Sequence, residues 1–132
     1  MDNGPLVKEE IDAGRELVRR LGNYRPLKAA FWLKASDNPF RYLYFAADRS
    51  DFYPDDLSYR EVLRVVDEMQ DPDIDPYRLK VVAAEHPLVR DAVKIAEQYP
   101  AETGRRQGGG PFGDLYTDDL YIYALPLPAA VS

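Results

Sequence analysis

Apolar residues recur every three or four positions over residues 5–21, a spacing that predicts an amphipathic helix. Pro5 suits the first position of this helix, and Gly22 suits the left-handed residue that follows a helix end. Gly14 lies inside the helix, where glycine costs about 1 kcal/mol relative to alanine. We therefore expect Gly14 to pack closely against a neighbouring strand or helix.

The next two apolar runs predict a β-hairpin. Residues 27–35 alternate between apolar and mixed positions, as in a half-buried strand, and residues 41–47 form a second such run. Between them, Asp37, Asn38 and Pro39 are typical turn residues. The two runs are therefore expected to pair as antiparallel strands.

The length of the turn predicts which side chains face each other. With residues 37–39 as the loop, Phe31 lies opposite Phe45 on one face and Trp32 lies opposite Tyr44 on the other. If the last strand joins this sheet, the second face gathers five aromatic side chains: Trp32, Tyr42, Tyr44, Tyr121 and Tyr123. Such a face could bind a partner, or it could be ordinary core beneath a helix, and the sequence leaves both interpretations open.

The second helix has the clearest start signal in the chain. Ser58 and Glu61 have the spacing of a capping box, and Leu57 and Val62 have that of a hydrophobic staple. The helix is expected to end before Pro72.

The remaining pattern predicts a strand over residues 79–84, a helix from Pro87 to Pro100, a flexible Gly-rich loop over 100–114, a strand over 115–125 and a frayed tail over 126–132. The predicted order is α-β-β-α-β-α-β. It indicates a single α+β (or α/β) domain over residues 1–132, with a mixed four-stranded sheet packed against three helices.

The amino-acid composition excludes several kinds of catalytic and metal-binding site. The 132 residues include no Cys and one His, which excludes thiolate catalysis, Cys-ligated zinc and multi-histidine metal sites. No segment has the apolar length of a membrane span, so we expect a soluble, cytoplasmic protein that binds no membrane.

Negative charge is concentrated in one part of the chain. The net charge is −6, and residues 48–75 carry ten acidic and three basic side chains. This balance argues against nucleic-acid binding, which needs clustered cations. A basic surface on a partner protein would match it better.

The Gly-rich segment resembles phosphate-binding motifs only in part. Residues 108–113 read G-G-G-P-F-G, but no strand precedes them and no helix follows, as a dinucleotide site requires. Two cations remain in the segment, Arg105 and Arg106, which are candidates for holding an anion if the loop becomes ordered on binding.

Two further groups are candidates for a reaction centre. Asp48 and Asp51 follow the second strand and could hold Mg²⁺, although a solvated acidic loop needs no ion. His86 precedes Pro87 at a predicted helix start, where it could act as an acid or base or simply cap the helix. No nucleophile motif accompanies it.

Residues 10–19 (E-I-D-A-G-R-E-L-V-R) and 29–33 (A-A-F-W-L) resemble segments of small uncharacterised prokaryotic proteins. Residues 86–90 (H-P-L-V-R) extend the likeness, which is strongest in the first third of the chain. The resemblance implies a bacterial, cytoplasmic, single-domain protein. It implies no activity and transfers no functional residue.

These observations predict a noncatalytic protein-binding or accessory protein without a cofactor. It would use the aromatic strand face or the acidic surface to hold a protein partner or a second copy of itself, as in a dimer. The alternative is a small phosphate-ligand-binding protein, or a Mg²⁺-dependent phosphoryl-transfer or hydrolytic enzyme. In that case Arg105 and Arg106 would bind the phosphorylated ligand, Asp48 and Asp51 the metal, and His86 would transfer a proton.

Overall fold

The computed structural model describes residues 7–100, 104–107 and 109–125. The elements are α1 (Lys8–Tyr24), β1 (Leu27–Ala35), β2 (Tyr42–Ala47), α2 (Tyr59–Met69), a 3₁₀ turn (Pro76–Arg78), β3 (Leu79–Val81), α3 (Pro87–Gln98), β4 (Gly104–Gln107), β5 (Gly110–Phe112) and β6 (Leu115–Tyr123). They form a single α+β domain, as predicted.

One mixed sheet organises the domain. Its order is β3-β2-β1-β6-β4, and β5 also pairs with β6. Among the strands of the described residues, only β2 and β3 run parallel, and α2 lies in the connection between them. The other pairs are antiparallel. The mixed sheet and the three helices were predicted, whereas the number of strands was not: the described residues form six strands, not four.

The two additional strands lie in the segment predicted to be a flexible loop. Residues 104–107 and 110–112 both pair antiparallel with β6, and a two-residue turn at Gly113, with φ of 60°, joins β5 to β6. Gly104 lies directly against the ring of Tyr121, where a Cβ atom would clash. Gly104 and Gly113 therefore serve a close contact and a turn, respectively. The predicted tail, residues 126–132, lies outside the described residues.

The predicted register of the first hairpin is wrong by one residue. Phe31 pairs with Tyr44 rather than Phe45, and Trp32 pairs with Leu43. The connection between the two strands comprises residues 36–41 rather than residues 37–39 alone. Because the register shifts by one residue, every β2 side chain lies on the face opposite to the predicted one. The observed register buries Leu43 and Phe45 completely.

Helices cover both faces of the sheet. On one face, α1 and α2 pack over a cluster that includes Leu17, Leu21, Trp32, Leu43, Phe45, Val62, Tyr121 and Tyr123. On the other face, α3 packs over Phe31, Leu33, Tyr44, Phe112, Leu120 and Ile122. Among the described residues, no helix is both long enough and apolar enough to cross a membrane.

The helix ends confirm one sequence signal and correct another. The Glu61 amide donates to the Ser58 hydroxyl at 3.2 Å, and the Ser58 amide donates to the Glu61 carboxylate at 3.0 Å, so the capping box of α2 is confirmed. Gly22, however, lies inside α1. The helix ends at Tyr24 because the next residue, Arg25, precedes a proline and is extended.

Candidate functional site

An acidic loop, residues 48–57, connects β2 to α2. Its amide at Asp48 donates to the Pro26 carbonyl at 3.0 Å. Ser50 and Tyr53 then exchange backbone hydrogen bonds of 2.9 and 3.1 Å, which form a tight turn. Hydrogen bonds at both the start and the tip of the loop give it a defined backbone.

Arg25, the residue after α1, anchors this loop through hydrogen bonds. Its side chain is buried, and its guanidinium group donates to the carbonyl oxygens of Tyr53, at 3.2 Å, and of Asp55. The same group lies 5.4 Å from the centre of the Tyr53 ring, within the range of a cation–π contact. A buried cation bound to two loop carbonyls fixes the loop against the end of α1.

A second arginine ties the loop to the segment before α3. Arg49 lies 3.6 Å from Asp56 and also forms an ion pair with Glu85. The Asp56 carboxylate accepts a hydrogen bond from the Ala84 amide at 3.4 Å. The loop is thereby connected to two separate parts of the fold.

The tip of the acidic loop displays an apolar side chain. Phe52 is 91% exposed, the highest exposure of any large hydrophobic residue in the described part of the chain. Asp48, Asp51 and Asp55 of the same loop are also exposed. Within the described ranges, no group of three or more His, Asp or Glu side chains is placed to hold a metal ion.

The five aromatic side chains predicted to share one face lie on two. Trp32, Tyr121 and Tyr123 belong to the cluster beneath α1 and α2, whereas Tyr44 stacks on Phe31 in the cluster beneath α3, with ring centres 5.2 Å apart. Tyr42 packs against that second cluster. The five side chains are divided between the two faces because the register of β2 is shifted by one residue from the predicted one. All except the partly buried Tyr42 are buried within the domain, so they do not form an exposed interaction surface.

Three of these rings take part in a polar network that the sequence did not reveal. The Trp32 indole donates to the Tyr123 hydroxyl at 3.0 Å, and that hydroxyl donates to the Ile11 carbonyl at 2.7 Å. Arg15 donates to the Tyr121 hydroxyl at 3.3 Å. Burial raises the pKa of Tyr123 well above its ordinary value. The network fastens α1 to the sheet and uses the polar ends of the rings internally.

Arg105 and Arg106 lie on opposite faces of β4. Arg106 forms an ion pair with Asp119 at 2.8 Å, on the α1 side of the sheet. Arg105 lies over the Tyr99 ring at 4.4 Å, at the end of α3. Neighbouring strand residues point in opposite directions, so the two guanidinium groups do not face a common anion.

His86 is the N-cap of α3. Its Nδ1 atom accepts a hydrogen bond from the Leu88 amide at 3.1 Å, and Pro87 occupies the first position of the helix. Asp48 follows β2 and Arg106 lies in β4, and β1 and β6 separate these two strands. The structure therefore does not bring together the residues that the enzymatic alternative requires.

The sequence analysis singled out neither Phe52, the exposed residue at the tip of the acidic loop, nor Arg25, the residue that fixes its backbone. Phe52 carries a usable signal, because it is an aromatic residue among four aspartates. Arg25 carries none: it follows a helix and precedes a proline, and only the tertiary structure places it beneath the loop.

Comparisons of this chain with protein-family models, with curated proteins and with solved structures found no match.

Proposed function

We propose that this protein is a noncatalytic binding module whose acidic loop docks on a basic surface of a partner protein. Phe52 would insert into an apolar pocket of that surface. The observation that carries the proposal is the nearly complete exposure of Phe52 on a loop with a fixed backbone.

An exposed aromatic side chain in a loop of exposed polar residues has the composition of an interface hot spot. Hot spots are large side chains that bury much area, and the groups around them exclude water. Because Arg25 already fixes the loop backbone, binding would require little further ordering of the chain.

The acidic residues in the same loop as Phe52 favour a partner of opposite charge. Residues 48–56 contain four Asp and one Arg, and Arg49 is paired with Asp56 and Glu85. Asp48, Asp51 and Asp55 would attract Lys and Arg side chains and disfavour an acidic partner. The favoured partner is therefore a basic protein surface that contains an apolar pocket.

Selection of random 12-residue peptides displayed on phage, with the full chain as bait, tests the proposal. We expect the enriched peptides to be rich in Lys and Arg and to contain aliphatic or aromatic residues. For a synthetic enriched peptide, Phe52→Ala should weaken binding by about thirtyfold, the effect of removing a hot spot worth ~2 kcal/mol. Fluorescence anisotropy measures this change, and higher salt should weaken binding further.

Tyr116→Ala is the matched control. Tyr116 is also an exposed aromatic residue, at 70%, but it lies on β6 opposite Pro111 and away from the acidic loop. This variant should bind the peptide like the wild type. Enrichment of peptides without positive charge, or equal affinity of the wild type and Phe52→Ala, would exclude the proposed docking mode.

A further inference from the structure

The two most exposed large hydrophobic side chains in the described part of the chain lie at opposite ends of β3. Phe52 is 91% exposed and Tyr77 is 84% exposed. Tyr77 belongs to the 3₁₀ turn that immediately precedes β3. The acidic loop that carries Phe52 is tied to the segment after β3, where the Asp56 carboxylate accepts a hydrogen bond from the Ala84 amide. Because β3 is the terminal strand of the described sheet, both rings lie at the same edge of the domain.

Two cations follow Tyr77 along the chain, and each lies over an aromatic ring. The Arg78 guanidinium group is 3.9 Å from the centre of the Phe40 ring, and the Lys80 ammonium group is 4.3 Å from the centre of the Tyr42 ring. Both distances are within the range of cation–π contacts. The ion pairs of the described residues include neither cation. We call Phe40, Tyr42, Tyr77, Arg78 and Lys80 the cationic patch.

The backbone that carries the cationic patch is fixed by local hydrogen bonds. The Asp75 carboxylate accepts a hydrogen bond from the Tyr77 amide at 2.9 Å, and the Arg78 amide donates to the Asp75 carbonyl at 2.9 Å. Asp75, the acidic residue nearest to the patch along the chain, thus caps the 3₁₀ turn. The patch and the acidic loop therefore carry opposite charges on two ordered segments.

We infer that the partner of the acidic loop is a second copy of this chain, whose cationic patch receives the loop. The exposed Asp side chains of one loop pair with Arg78 and Lys80 of the other copy. Phe52 packs against the ring of Tyr77 in that copy, so each exposed aromatic side chain covers the other. The inference rests on the proposed function, because it uses the same loop and the same Phe52.

The positions of the two surfaces permit a closed dimer. A two-fold rotation about an axis across the middle of β3, perpendicular to the strand, reverses the direction of the strand. It therefore places the acidic loop of each copy against the cationic patch of the other, and the same contact forms twice. Both loops and both patches are then occupied, so the assembly ends at two copies.

Sedimentation velocity of the full chain from about 10 to about 500 µM, a range suited to a small interface, tests the inference. We expect the wild type to show a monomer–dimer equilibrium. Two double variants reverse the charge of one surface each: Arg78→Glu with Lys80→Glu, and Asp48→Lys with Asp51→Lys. Each variant alone should dimerise about a hundredfold more weakly, because like charges then face each other.

An equimolar mixture of the two double variants should form a dimer again. In the mixed dimer the reversed patch faces the reversed loop, and the unchanged loop faces the unchanged patch, so both contacts join opposite charges. A fluorescent label on one variant identifies the mixed dimer. Its formation also shows that both variants are folded.

Arg20→Glu with Arg64→Glu is the matched control. Both residues are exposed, on α1 and α2 respectively, and this double variant changes the net charge by the same amount as the reversed patch. It should dimerise like the wild type.

A wild type that stays monomeric over the whole concentration range would overturn the inference, and so would a mixture that forms no mixed dimer. Oligomers that keep growing with concentration would overturn the two-fold arrangement. The proposed function fails separately. A monomeric protein that still binds basic peptides through Phe52 would support the docking loop without the dimer, whereas peptide binding unchanged by Phe52→Ala would exclude the docking loop itself.

Discussion

Tyr123 illustrates how a single buried hydroxyl can control stability. Its oxygen accepts from Trp32 and its proton is donated to the Ile11 carbonyl, so the neutral phenol satisfies both partners. An ionised tyrosine could not donate that hydrogen bond, and burial disfavours the charge itself. The folded domain therefore holds Tyr123 in its protonated form.

This arrangement predicts a loss of stability at alkaline pH. The pKa of Tyr123 is raised in the folded domain from its ordinary value of 10.0. Its contribution is thus complete below pH 10 and is lost as the pH rises toward the folded-state pKa, by up to ~1.4 kcal/mol per pH unit. Urea denaturation of the wild type between pH 8 and about 11.5 should show this decline.

Tyr123→Phe provides the comparison. At pH 8 it should be less stable by about 1–3 kcal/mol, because the Trp32 indole and the Ile11 carbonyl lose their partner. Above pH 10 its stability should decline less steeply than that of the wild type. Some decline should remain, because burial also raises the pKa of Tyr44. Identical pH slopes in the two proteins would contradict the assignment.

At the scale of one element, α1 contains two glycines with opposite surroundings. A Cβ atom on Gly14 would lie 2.9 Å from the Trp32 indole nitrogen and would clash with the Tyr123 hydroxyl. A Cβ atom on Gly22 would contact nothing within 4 Å. The close packing predicted for Gly14 is confirmed, whereas Gly22 has no steric requirement for glycine.

Alanine substitutions at these two positions should therefore change stability in opposite directions. Gly22→Ala should stabilise the domain by about 0.5–1 kcal/mol through helix propensity alone. Gly14→Ala gains the same propensity but overpacks the helix–sheet contact, which typically costs ~1–3 kcal/mol, so we expect a net loss. Thermal unfolding of both variants measures the difference, and stabilisation by both would show that α1 can move away from the sheet at no cost.

At the scale of the whole molecule, stability should be highest in the centre of the sheet. β1 is hydrogen-bonded to β2 on one side and to β6 on the other, and helices cover both of its faces. β3 is a three-residue strand with one sheet neighbour. Opening β1 requires most of the domain to unfold, whereas β3 can detach locally.

Native-state hydrogen exchange would test this gradient. We expect the β1 amides that bond to β2 or β6 to exchange most slowly, at rates that follow the global free energy of unfolding. The β3 amides should exchange fastest among the strands. Equal protection of β1 and β3 would indicate that the parallel β2–β3 pair belongs to the same cooperative unit as the centre.

The sequence by itself determined the elements whose signals are local. The capping residues Ser58 and Glu61, the start of α3 at Pro87 and the strand over residues 27–35 depend on neighbours a few positions away, and each prediction is confirmed. The half-buried character expected of that strand is wrong, because residues 29–33 are all buried. The α+β class follows from the order of the elements. These features were predictable because hydrogen bonds and periodicity over a few residues specify them.

The tertiary structure alone decided the features that depend on distant residues. The β1–β2 register follows from which residues are buried beneath α1 and α2, and a one-residue difference redistributed the aromatic side chains between two cores. The strands at 104–107 and 110–112 form because β6 offers an edge for pairing. The candidate site has the same origin, because Arg25 reaches the carbonyl of Tyr53 only once the chain is folded.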